Sequence, residues 1–471
     1  MIKRSSTPSK KDERKAAAAA AMDAAAAASL AEIEREIVSR NPEHAFVPTL
    51  DRVRRVCELL GDPQHAYRVV HLTGTNGKTS TARMVEALVR EHGLRTGLFT
   101  SPHLTSITER IQVDGAPISA ARFVEVWEDV APYIGVADRE SVAAGGPRLS
   151  FFEVLTVMAF AAFADAPVDV AVIEVGMGGE WDSTNVADGD VAVITPVDLD
   201  HQEWLGDTVE AIAKTKAGII KPGATAVVSR QAEAAEAAIE ARAAEVGARL
   251  VREGRELELE GRHLAVGGQV VDLLTTTGLY TGIFLPLHGE HMGHNALVAL
   301  AAVEALLSDG GVLDGGVIEA GFAGVTSPGR LELVRSSPTV IVDVAHNPHG
   351  VAALATTLQE SFAFERLIGV VGVLGDKDAE GILAALEPVL AEVVLTKNSS
   401  PRCADPADLR EVAVSIFDED RVHIVEHLDD ALQTAADLAE RDDVIGVGVG
   451  AGVLVTGSVI TVADARILLS R

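Results

Sequence analysis

The segment HLTGTNGKTS, residues 71–80, combines the residue types that hold phosphate groups. It joins an apolar run that ends at Leu72 to a helical pattern that begins after Lys78. A glycine-rich turn here lets backbone N–H groups converge on phosphate oxygens, the helix N-terminus adds partial positive charge, and the lysine reaches the terminal phosphates. The alternative is a turn that uses its glycines only for positive φ. We predict a nucleotide-phosphate site formed by Gly74, Thr75, Asn76, Gly77, Lys78, Thr79 and Ser80.

This loop is a shortened variant of the general G-x-x-x-x-G-K-[ST] pattern. The position five before Gly77 is Leu72, and the leading glycine is Gly74 instead. Thr79 and Ser80 follow the lysine. We expect one of these two hydroxyls to contact a Mg²⁺ that bridges the phosphates.

Ionisable side chains also follow two further apolar runs. Glu174 lies in VDVAVIEVG, ahead of the glycines of residues 176–179, while Asp198, Asp200 and His201 follow VAVITPV. Ligands of open parallel sheets gather outside the carboxyl ends of the strands, where a carboxylate beside a phosphate loop is placed to hold Mg²⁺. The alternatives are a solvated acid in a glycine-rich loop and a structural histidine. Because three such strand-end clusters occur together, we favour a metal and nucleotide site.

The elements that must position these residues follow an α/β rhythm from about Leu30 onward. In the first two-thirds, helical segments such as 80–91 and 231–246 alternate with the strand-like runs VVHLTG, TGLFTS, VDVAVIEVG, VAVITPV and ATAVVS. Near-continuous apolar runs indicate strands that are buried on both faces. The rhythm restarts after GFAGVTSPGR, with TVIVDVAH, LIGVVGVLG, EVVLTK, VHIVEH and GVLVTGS. This restart predicts a domain boundary near residues 327–330, and residues 249–287 are expected to form antiparallel hairpins attached to the first domain.

The composition excludes several classes of protein. The 471 residues are 48% hydrophobic and 23% charged, which excludes wholesale disorder and allows two or three domains. Lys and Arg number 40 against 69 Asp and Glu, and the formal net charge of −29 would repel nucleic acid and anionic membranes. We therefore expect no nucleic-acid and no membrane partner. The two cysteines, Cys57 and Cys403, lie far apart in sequence, which favours a reducing cytoplasm over a disulfide or zinc scaffold.

The N-terminus superficially copies a secretory signal, because the basic MIKRSSTPSKKDERK precedes an alanine tract over 16–28. Alanine is only weakly hydrophobic, and Asp23 interrupts the tract. We therefore expect a frayed, partly helical tail. No stretch approaches 18 apolar residues without a charge, so we predict no transmembrane span.

Six motifs in fixed order carry a family resemblance: GTNGKTS, EVGMGGEWDSTN, LDHQEWLGDTVEAIAKTKAGIIK, SPGRLE, DVAHNPHG and VLVTGS. In this order and spacing, from about residue 47 to residue 466, the chain resembles the folylpolyglutamate synthase family of the Mur ligase superfamily, whose members are often also dihydrofolate synthases. SPHLTSITERI and FFEVLT further resemble the folate-handling branch rather than the cell-wall ligases.

The resemblance implies an α/β architecture with a flexible Ala-rich tail and lead-in over 1–45. An N-terminal P-loop ATPase domain with a mostly parallel sheet then covers 46–326, a linker covers 327–331, and a smaller C-terminal Rossmann-like domain covers 332–471. It also implies a cytoplasmic, monomeric ATP-dependent ligase that uses Mg²⁺, with two ions. The carboxylate of a folate or dihydropteroate attacks the γ-phosphate of ATP. The amine of L-glutamate then displaces phosphate from the acyl phosphate, leaving an amide.

The resemblance also assigns roles to particular residues. Lys78, Lys216 and His346 correspond to catalytic residues, and Lys216 to a lysine that becomes carbamoylated. Ser80, Glu174 and His201 correspond to metal ligands, Asn295, Arg330 and Asp343 to nucleotide contacts, and Asp376 and Lys377 to a GDKD turn. By spacing alone, Lys214 and Lys216 would instead flank the solvated side of a helix, and Asp343 and His346 would cap the helix that follows them.

Four positions depart from the family pattern: Glu180, Thr215, Met292 and Val344 stand where Arg, Glu, Gln and Gly are usual. A glutamate in place of arginine beside a polyanionic substrate would replace an attraction by a repulsion.

Two other functions stay open, namely a Mur-type ligase for a cell-wall precursor and a nucleotide-binding module without ligase activity. The intact Lys78, Glu174, His201 and Lys216 argue against the module. The sequence does not determine the preferred acceptor or the number of glutamates added.

Overall fold

The computed structural model describes residues 10–40, 48–308, 310–441 and 450–470, with side chains from residue 22 onward. Residues 1–9 of the predicted tail, and residues 41–47 with the predicted domain start at 46, lie outside the described residues. The described residues form an N-terminal and a C-terminal α/β domain, each with its own sheet. The α/β fold class is therefore confirmed.

The N-terminal domain is built on an eight-stranded, mostly parallel sheet. Its strands are β1 Arg68–Thr73, β2 Thr96–Phe99, β3 Ile111–Val113, β4 Ala116–Pro117, β5 Val170–Glu174, β6 Val191–Ile194, β7 Thr225–Val228 and β8 Arg249–Arg252. Their order is β4-β3-β2-β5-β1-β6-β7-β8. The short β3 and β4 extend one edge antiparallel, and the other strands run parallel.

Helices cover both faces of this sheet. They are α1 Lys10–Val38, α2 Asp51–Leu59, α3 Lys78–Glu91, α4 Ala120–Ala143, α5 Phe151–Asp165, α6 Gln202–Leu205, α7 Val209–Ala217, α8 Glu233–Val246, α9 Glu290–Leu307 and α10 Gly315–Ala323. In β5, Val170 and Val172 belong to the core shared with α3 and α9, while Ala171 and Ile173 belong to the core shared with α4 and α5. Alternate side chains thus enter different cores, which confirms the strand burial predicted from the continuous apolar runs.

The chain around residue 250 differs from the expectation of hairpins throughout 249–287. Residues 249–252 form β8, which pairs parallel with β7 because α8 carries the chain back across the sheet. The antiparallel element is a three-stranded sheet of β9 Glu258–Ala265, β10 Gly268–Leu274 and β11 Leu279–Leu285. Its apolar side chains, such as Val271 and Leu285, share a core with α9.

The alanine-rich segment is helical, as expected in part, but the helix that contains it ends docked and not frayed. It lies within the single helix α1, whose last turns bury Ile33 and Ile37 in the core shared with α4 and α5. Just after the helix, the buried Arg40 forms an ion pair with Asp138 of α4 at 2.9 Å. The C-terminal part of α1 is therefore docked, because Ile33 and Ile37 are one turn apart on one face.

The C-terminal domain contains a six-stranded sheet in the order β12-β13-β17-β14-β15-β16. Its strands are β12 Glu332–Ser336, β13 Thr339–Val342, β14 Arg366–Val371, β15 Glu392–Leu395, β16 Val422–Ile424 and β17 Ala451–Thr456. Only the edge strand β12 is antiparallel within this described sheet. The helices are α11 Pro348–Ser361, α12 Ala379–Leu386, α13 Pro406–Ala413, α14 Leu428–Glu440 and α15 Val459–Leu469. No described helix is long and apolar enough to span a membrane.

Candidate active site

The predicted phosphate loop joins β1 to α3, and the segment after β6 is hydrogen-bonded to it. The backbone N–H of Thr75 donates to the carbonyl of Pro196 at 2.9 Å, and the Thr75 hydroxyl contacts the backbone N–H and carbonyl of Asp198, each at 3.0 Å. Gly74 passes so close to this segment that a Cβ would lie 1.9 Å from the Thr195 hydroxyl oxygen. Glycine at position 74 is therefore a steric requirement.

The second glycine of the loop, Gly77, has φ +85° and sits against Asn295 of α9. A Cβ at Gly77 would lie 2.8 Å from the Asn295 side-chain oxygen, which places Asn295 beside the phosphate loop. The Nδ2 donor of Asn76 is buried and has no hydrogen-bond partner among the described residues. Buried donors are rarely left unpaired, so an orphan donor in this loop fits a phosphate oxygen.

Lys78 begins α3 and folds back over the loop. Its Nζ donates to the carbonyls of Gly74 and Thr75 at 2.9 and 3.1 Å. Burial lowers the pKa of Lys78, and the charges of Arg330 and Lys377 lower it further, although Glu174 and Asp200 act in the opposite direction. The lysine thus lies over the loop, where terminal phosphates would exchange for the carbonyls.

Glu174, at the end of β5, is 1% exposed and contacts Thr79 rather than Ser80. The Thr79 hydroxyl lies 2.8 and 3.0 Å from its two carboxylate oxygens, and the Ser101 backbone N–H donates at 3.3 Å. The Ser80 hydroxyl instead lies 3.1 Å from that of Ser327. The structure therefore does not bring the predicted metal ligand Ser80 to the carboxylate, because successive residues of a helix point in different directions.

His201 follows β6 in the left-handed conformation, with φ +50°, and its side chain is 46% exposed. Its Nε2 lies 3.8 Å from Asp200. Within the described ranges, no group of three or more His, Cys, Asp or Glu side chains is placed to hold a metal ion by itself. Glu174 with the Thr79 hydroxyl does fit Mg²⁺, since this ion is usually held by one or two carboxylates together with substrate phosphates and water.

Lys216 is buried against the phosphate loop, whereas Lys214 is exposed. The Nζ of Lys216 donates to the carbonyl of Gly74 at 2.7 Å. Burial, and then the charge of Lys78, holds the pKa of Lys216 well below its usual range. The expectation from spacing alone, that both lysines lie on the solvated face of α7, is therefore wrong for Lys216. A buried neutral amine is the form that reacts with CO₂.

The C-terminal domain meets the same loop through side chains that follow β13 and β14. Lys377 pairs with Asp200 at 2.8 Å, and both side chains are only 12% exposed. His349 Nδ1 lies 2.7 Å from the carboxylate of Asp198. A further contact joins Asn347 to Asn76 of the phosphate loop at 3.2 Å. The site is thus assembled from both domains.

Arg330, Asp343 and His346 approach the site from the linker and from the end of β13. The half-buried Arg330 side chain makes no hydrogen bond or ion pair with any described residue. Burial raises the pKa of Asp343, and the positive charge of Arg330 lowers it in part. Both oxygens of Asp343 accept backbone N–H groups, from Leu331 and Ala345 at 2.9 Å. The capping alternative does not hold for the next helix, whose N-terminus is capped by Asn347.

His346 presents one free ring nitrogen to the site. Its Nδ1 lies 2.9 Å from the Val344 carbonyl, which assigns the proton to Nδ1 and leaves Nε2 as an acceptor, 4.0 Å from Asp200. Burial, and then the charge of Lys377, lowers the pKa of His346 to about 4. The imidazole is therefore neutral at pH 7.

The four positions that depart from the family pattern take distinct places. Glu180 is exposed, and its backbone N–H donates to the Thr215 carbonyl at 2.8 Å. Met292 Sδ lies 3.9 Å from the Asn295 side-chain nitrogen, and Val344 donates its backbone N–H to Gly329 at 2.9 Å. Among these four, Met292 and Val344 are buried. Of these four residues, only Glu180 exposes a charged side chain, next to the glycines of residues 176–179.

Sequence reasoning missed several residues of this site. Pro196, Ser327, Asn347 and His349 contact residues that are distant in the chain, and the His349–Asp198 contact spans 151 positions. Asn347 and His349 do lie within the DVAHNPHG motif, so the motif itself was the only local signal for them.

Comparisons with known proteins agree with this geometry. Residues 72–303 match the model of the Mur ligase middle domain, and residues 329–452 match that of the Mur ligase glutamate ligase domain. A Mycobacterium tuberculosis protein named dihydrofolate synthase/folylpolyglutamate synthase is 48% identical over 94% of both chains. An Escherichia coli protein of the same name is 35% identical over 77% of this chain and 80% of its own.

Solved structures give the same result. The M. tuberculosis folylpolyglutamate synthase complexed with ADP superposes with a TM-score of 0.90 at 49% identity, covering 95% of this chain and 99% of that one. The E. coli FolC protein in complex with DHPP and ADP gives a TM-score of 0.79 at 31% identity, covering 94% of this chain and 97% of that one.

A phosphate loop in a parallel-sheet domain, met by a second α/β domain, defines a Mur-type ligase, an ATP-dependent enzyme that joins an acid to an amino acid. Within that class, the chain belongs to the dihydrofolate synthase/folylpolyglutamate synthase family.

Proposed function

We propose that this protein adds L-glutamate to the carboxylate of a folate, and also to that of dihydropteroate, through an acyl phosphate that releases ADP and phosphate. The observation that carries the proposal is the joint site, in which Asp200 and Asn76 of the N-terminal domain contact Lys377 and Asn347 of the C-terminal domain. Such a site brings a nucleotide-phosphate loop to a second set of polar groups that can receive an amino acid. The names of the relatives, and the complex with DHPP and ADP, support the substrates.

The phosphate loop holds the triphosphate of ATP by its backbone N–H groups, the orphan donor of Asn76 and the ammonium of Lys78. Phosphoryl transfer demands positioning and charge neutralisation more than a protein nucleophile. Lys78 exchanges its carbonyl partners for the β- and γ-phosphate oxygens. Arg330, which has no partner among the described residues, supplies a second cation from the linker. Asn295 is placed beside Gly77 as a further nucleotide contact.

We infer that Mg²⁺ is held by Glu174 and the hydroxyl of Thr79, with Ser80 left to its contact with Ser327. Mg²⁺ supplies charge neutralisation on the phosphate oxygens. A second ion would be held by His201 and Lys216. For that role the deprotonated form of the Lys216 Nζ, which burial favours, would attack the carbon of CO₂ and release a proton to water. The product is a carbamate anion whose two oxygens suit a hard cation.

His346 receives the proton of the second half-reaction. The incoming amine must lose a proton as it forms the C–N bond to the acyl carbon. The Nε2 of His346 is a free acceptor on a neutral ring, oriented by the Nδ1 contact with the Val344 carbonyl. Burial, and then the charge of Lys377, lowers the pKa of His346 to about 4, so the ring is neutral at pH 7 and its Nε2 can accept a proton. Asp343 holds the linker after Arg330 through its backbone contacts at Leu331 and Ala345.

We also propose that the chain divides into an ATP-binding domain over 46–326, a linker over 327–331 and a C-terminal domain over 332–471. The positive φ of Gly329 and Leu331 between α10 and β12 supports this linker. We also propose a monomeric enzyme, as the family resemblance implies. The free thiols of Cys57 and Cys403 support a cytoplasmic location.

Substrate-dependent ADP release tests the function. The purified protein is assayed with ATP and Mg²⁺ while folate, dihydropteroate and L-glutamate are supplied singly and in pairs, and products are analysed by mass for added glutamate. We expect ADP release only with an acceptor and glutamate together. Turnover with a cell-wall precursor but not with folate would identify the other Mur-type function, and ATP binding without any turnover would identify an inactive module.

A further inference from the structure

One arginine of α3 has no hydrogen-bond or ion-pair partner in the described part of the chain and no role in the mechanism above. Arg83 lies on α3 and is half-buried. Its side chain makes no hydrogen bond or ion pair with any residue that the structure describes. A guanidinium carries five N–H donors and a permanent charge, so a half-buried guanidinium without a partner indicates a site for an anion.

The helix register places Arg83 on the metal side of α3. Arg83 is four residues after Thr79, so the two side chains share a face of the helix, and the Thr79 hydroxyl is the group that contacts Glu174. Four residues of helix advance about 6 Å along the axis. Arg83 therefore lies one turn beyond the Glu174 contact, on the side away from the phosphate loop.

The acids around Arg83 are already occupied by other donors. The charges that act on it are those of Glu174, Glu109, Glu86 and, with the opposite effect, Arg466. Glu109 accepts three backbone N–H groups from residues 104–106. Glu86 accepts from Arg90 and Thr96, and Glu174 from Thr79 and Ser101. None of these carboxylates takes a hydrogen bond from Arg83.

The donors of Arg83 thus lack an acceptor, although three carboxylates act on the guanidinium through their charge. Burial lowers the pKa of Arg83 despite the three acids, and Arg466 of the C-terminal domain adds to the decrease. Arg466 has a partner of its own, Glu332, at 3.1 Å. An anionic group placed between α3 and the segment 101–110 would give the Arg83 guanidinium an acceptor.

We propose that Arg83 binds the carboxylate of the acceptor that becomes phosphorylated and positions it for attack on ATP. The inference rests on the proposed function, which requires such a carboxylate to meet the γ-phosphate beside Glu174. Lys78 folds over the phosphate loop, and Asn347 and Lys377 contact the site from the C-terminal domain. Arg83 lies on the Glu174 side of α3, and its planar fork matches a carboxylate.

Steady-state kinetics of Arg83→Gln and Arg83→Lys test this assignment against the parent enzyme. The KM values for ATP, L-glutamate, a monoglutamyl folate and dihydropteroate are measured separately. Arg54→Gln, which alters an exposed arginine on α2 that pairs only with Asp51, is the matched control. We expect Arg83→Gln to raise the KM of both acceptors about 10- to 100-fold, with the KM for ATP within about twofold. Arg83→Lys should recover part of the loss, and the control should behave as the parent.

Each other outcome overturns the assignment. A selective rise in the KM for ATP would make Arg83 a phosphate ligand, and a rise for L-glutamate alone would place it at the amino-acid site. Loss with the monoglutamyl folate but not with dihydropteroate would mean that it holds the non-reacting carboxylate, since dihydropteroate has only one. Unchanged kinetics would leave it a solvated surface charge. If the parent enzyme shows no turnover with either acceptor, the proposed function itself is wrong, and so is this inference.

Discussion

Replacing Glu174 by glutamine should separate catalysis from stability. The side chain is 1% exposed and accepts the Thr79 hydroxyl at 2.8 and 3.0 Å and the Ser101 N–H at 3.3 Å. Glutamine keeps the volume and one acceptor oxygen, but its NH₂ cannot accept a hydrogen bond, so one modest contact worth about 1 kcal/mol is lost. Burial raises the pKa of Glu174, which means that the charge itself is costly in the nucleotide-free protein. Removing that charge offsets the lost contact.

In Glu174→Gln the lost hydrogen bond therefore destabilises the fold, and the removal of the buried charge stabilises it. The melting temperature of the nucleotide-free variant should stay within about 3 °C of the parent. Turnover should fall about 10²- to 10³-fold, equivalent to about 2.7–4 kcal/mol, because preorganised stabilisation of the transferring phosphoryl group is lost. The Mg²⁺ concentration for half-maximal rate should also rise. ADP release across a Mg²⁺ titration and a thermal melt measure these quantities, with the exposed Glu210→Gln on α7 as control.

Two results would refute this reasoning about Glu174. An unchanged rate and an unchanged Mg²⁺ requirement would make Glu174 an acid that only orders its loop. A drop in melting temperature that accompanies the loss of turnover would show that the carboxylate supports the fold instead of the metal.

Three further predictions concern lysine and histidine side chains. Lys78→Ala should lose at least 90% of turnover while keeping its circular dichroism spectrum, because the cation over the phosphates is removed; a rate above about a tenth of the parent contradicts the role. Lys216→Ala should be inactive and partly restored by added small carboxylates, whereas the exposed Lys214→Ala should be active, and full activity of Lys216→Ala would exclude the carbamate. Burial, and then Lys221, lowers the pKa of His71 to about 3, below its value of about 6.5 in the unfolded chain. The free energy of unfolding should therefore fall as the pH decreases from 6.5 towards 3, by at most about 1.4 kcal/mol per pH unit. In His71→Gln the melting temperature should depend less on pH over this range. The same acid dependence in parent and variant would show that His71 does not contribute.

The sequence predicted the fold where local pattern and burial agree. Five of the six parallel strands in the N-terminal sheet, β1, β2, β5, β6 and β7, correspond to continuous apolar runs, because both faces of these strands are covered by helices. The short edge strands β3 and β4 escaped prediction, since two or three residues at an edge carry no periodicity. The docking of α1 was missed although Ile33 and Ile37 stand one turn apart, because the alanine tract before them dominated the composition.

The motifs identified residues of the site, but not the contacts that these residues make. Spacing identified Lys78 and Glu174, and the family resemblance identified Lys216; the structure places all three around Gly74 or Thr79. Which of two adjacent hydroxyls faces the carboxylate depends on the rotation of α3, which the motif does not encode, and in the structure the Thr79 hydroxyl faces it. The partner of Asp198, His349, depends on how the two domains meet, and no local pattern encodes that contact.

The acyl-phosphate route through this site can be followed by oxygen transfer. An acceptor labelled with ¹⁸O in its carboxylate is incubated with the enzyme, ATP, Mg²⁺ and L-glutamate, and the released phosphate is analysed by mass spectrometry. If the carboxylate attacks the γ-phosphate, the bridging oxygen leaves with phosphate when the amine forms the amide, so each phosphate should carry one ¹⁸O from a fully labelled acceptor. Phosphate without ¹⁸O, formed at the same rate as the glutamylated product, would contradict the account.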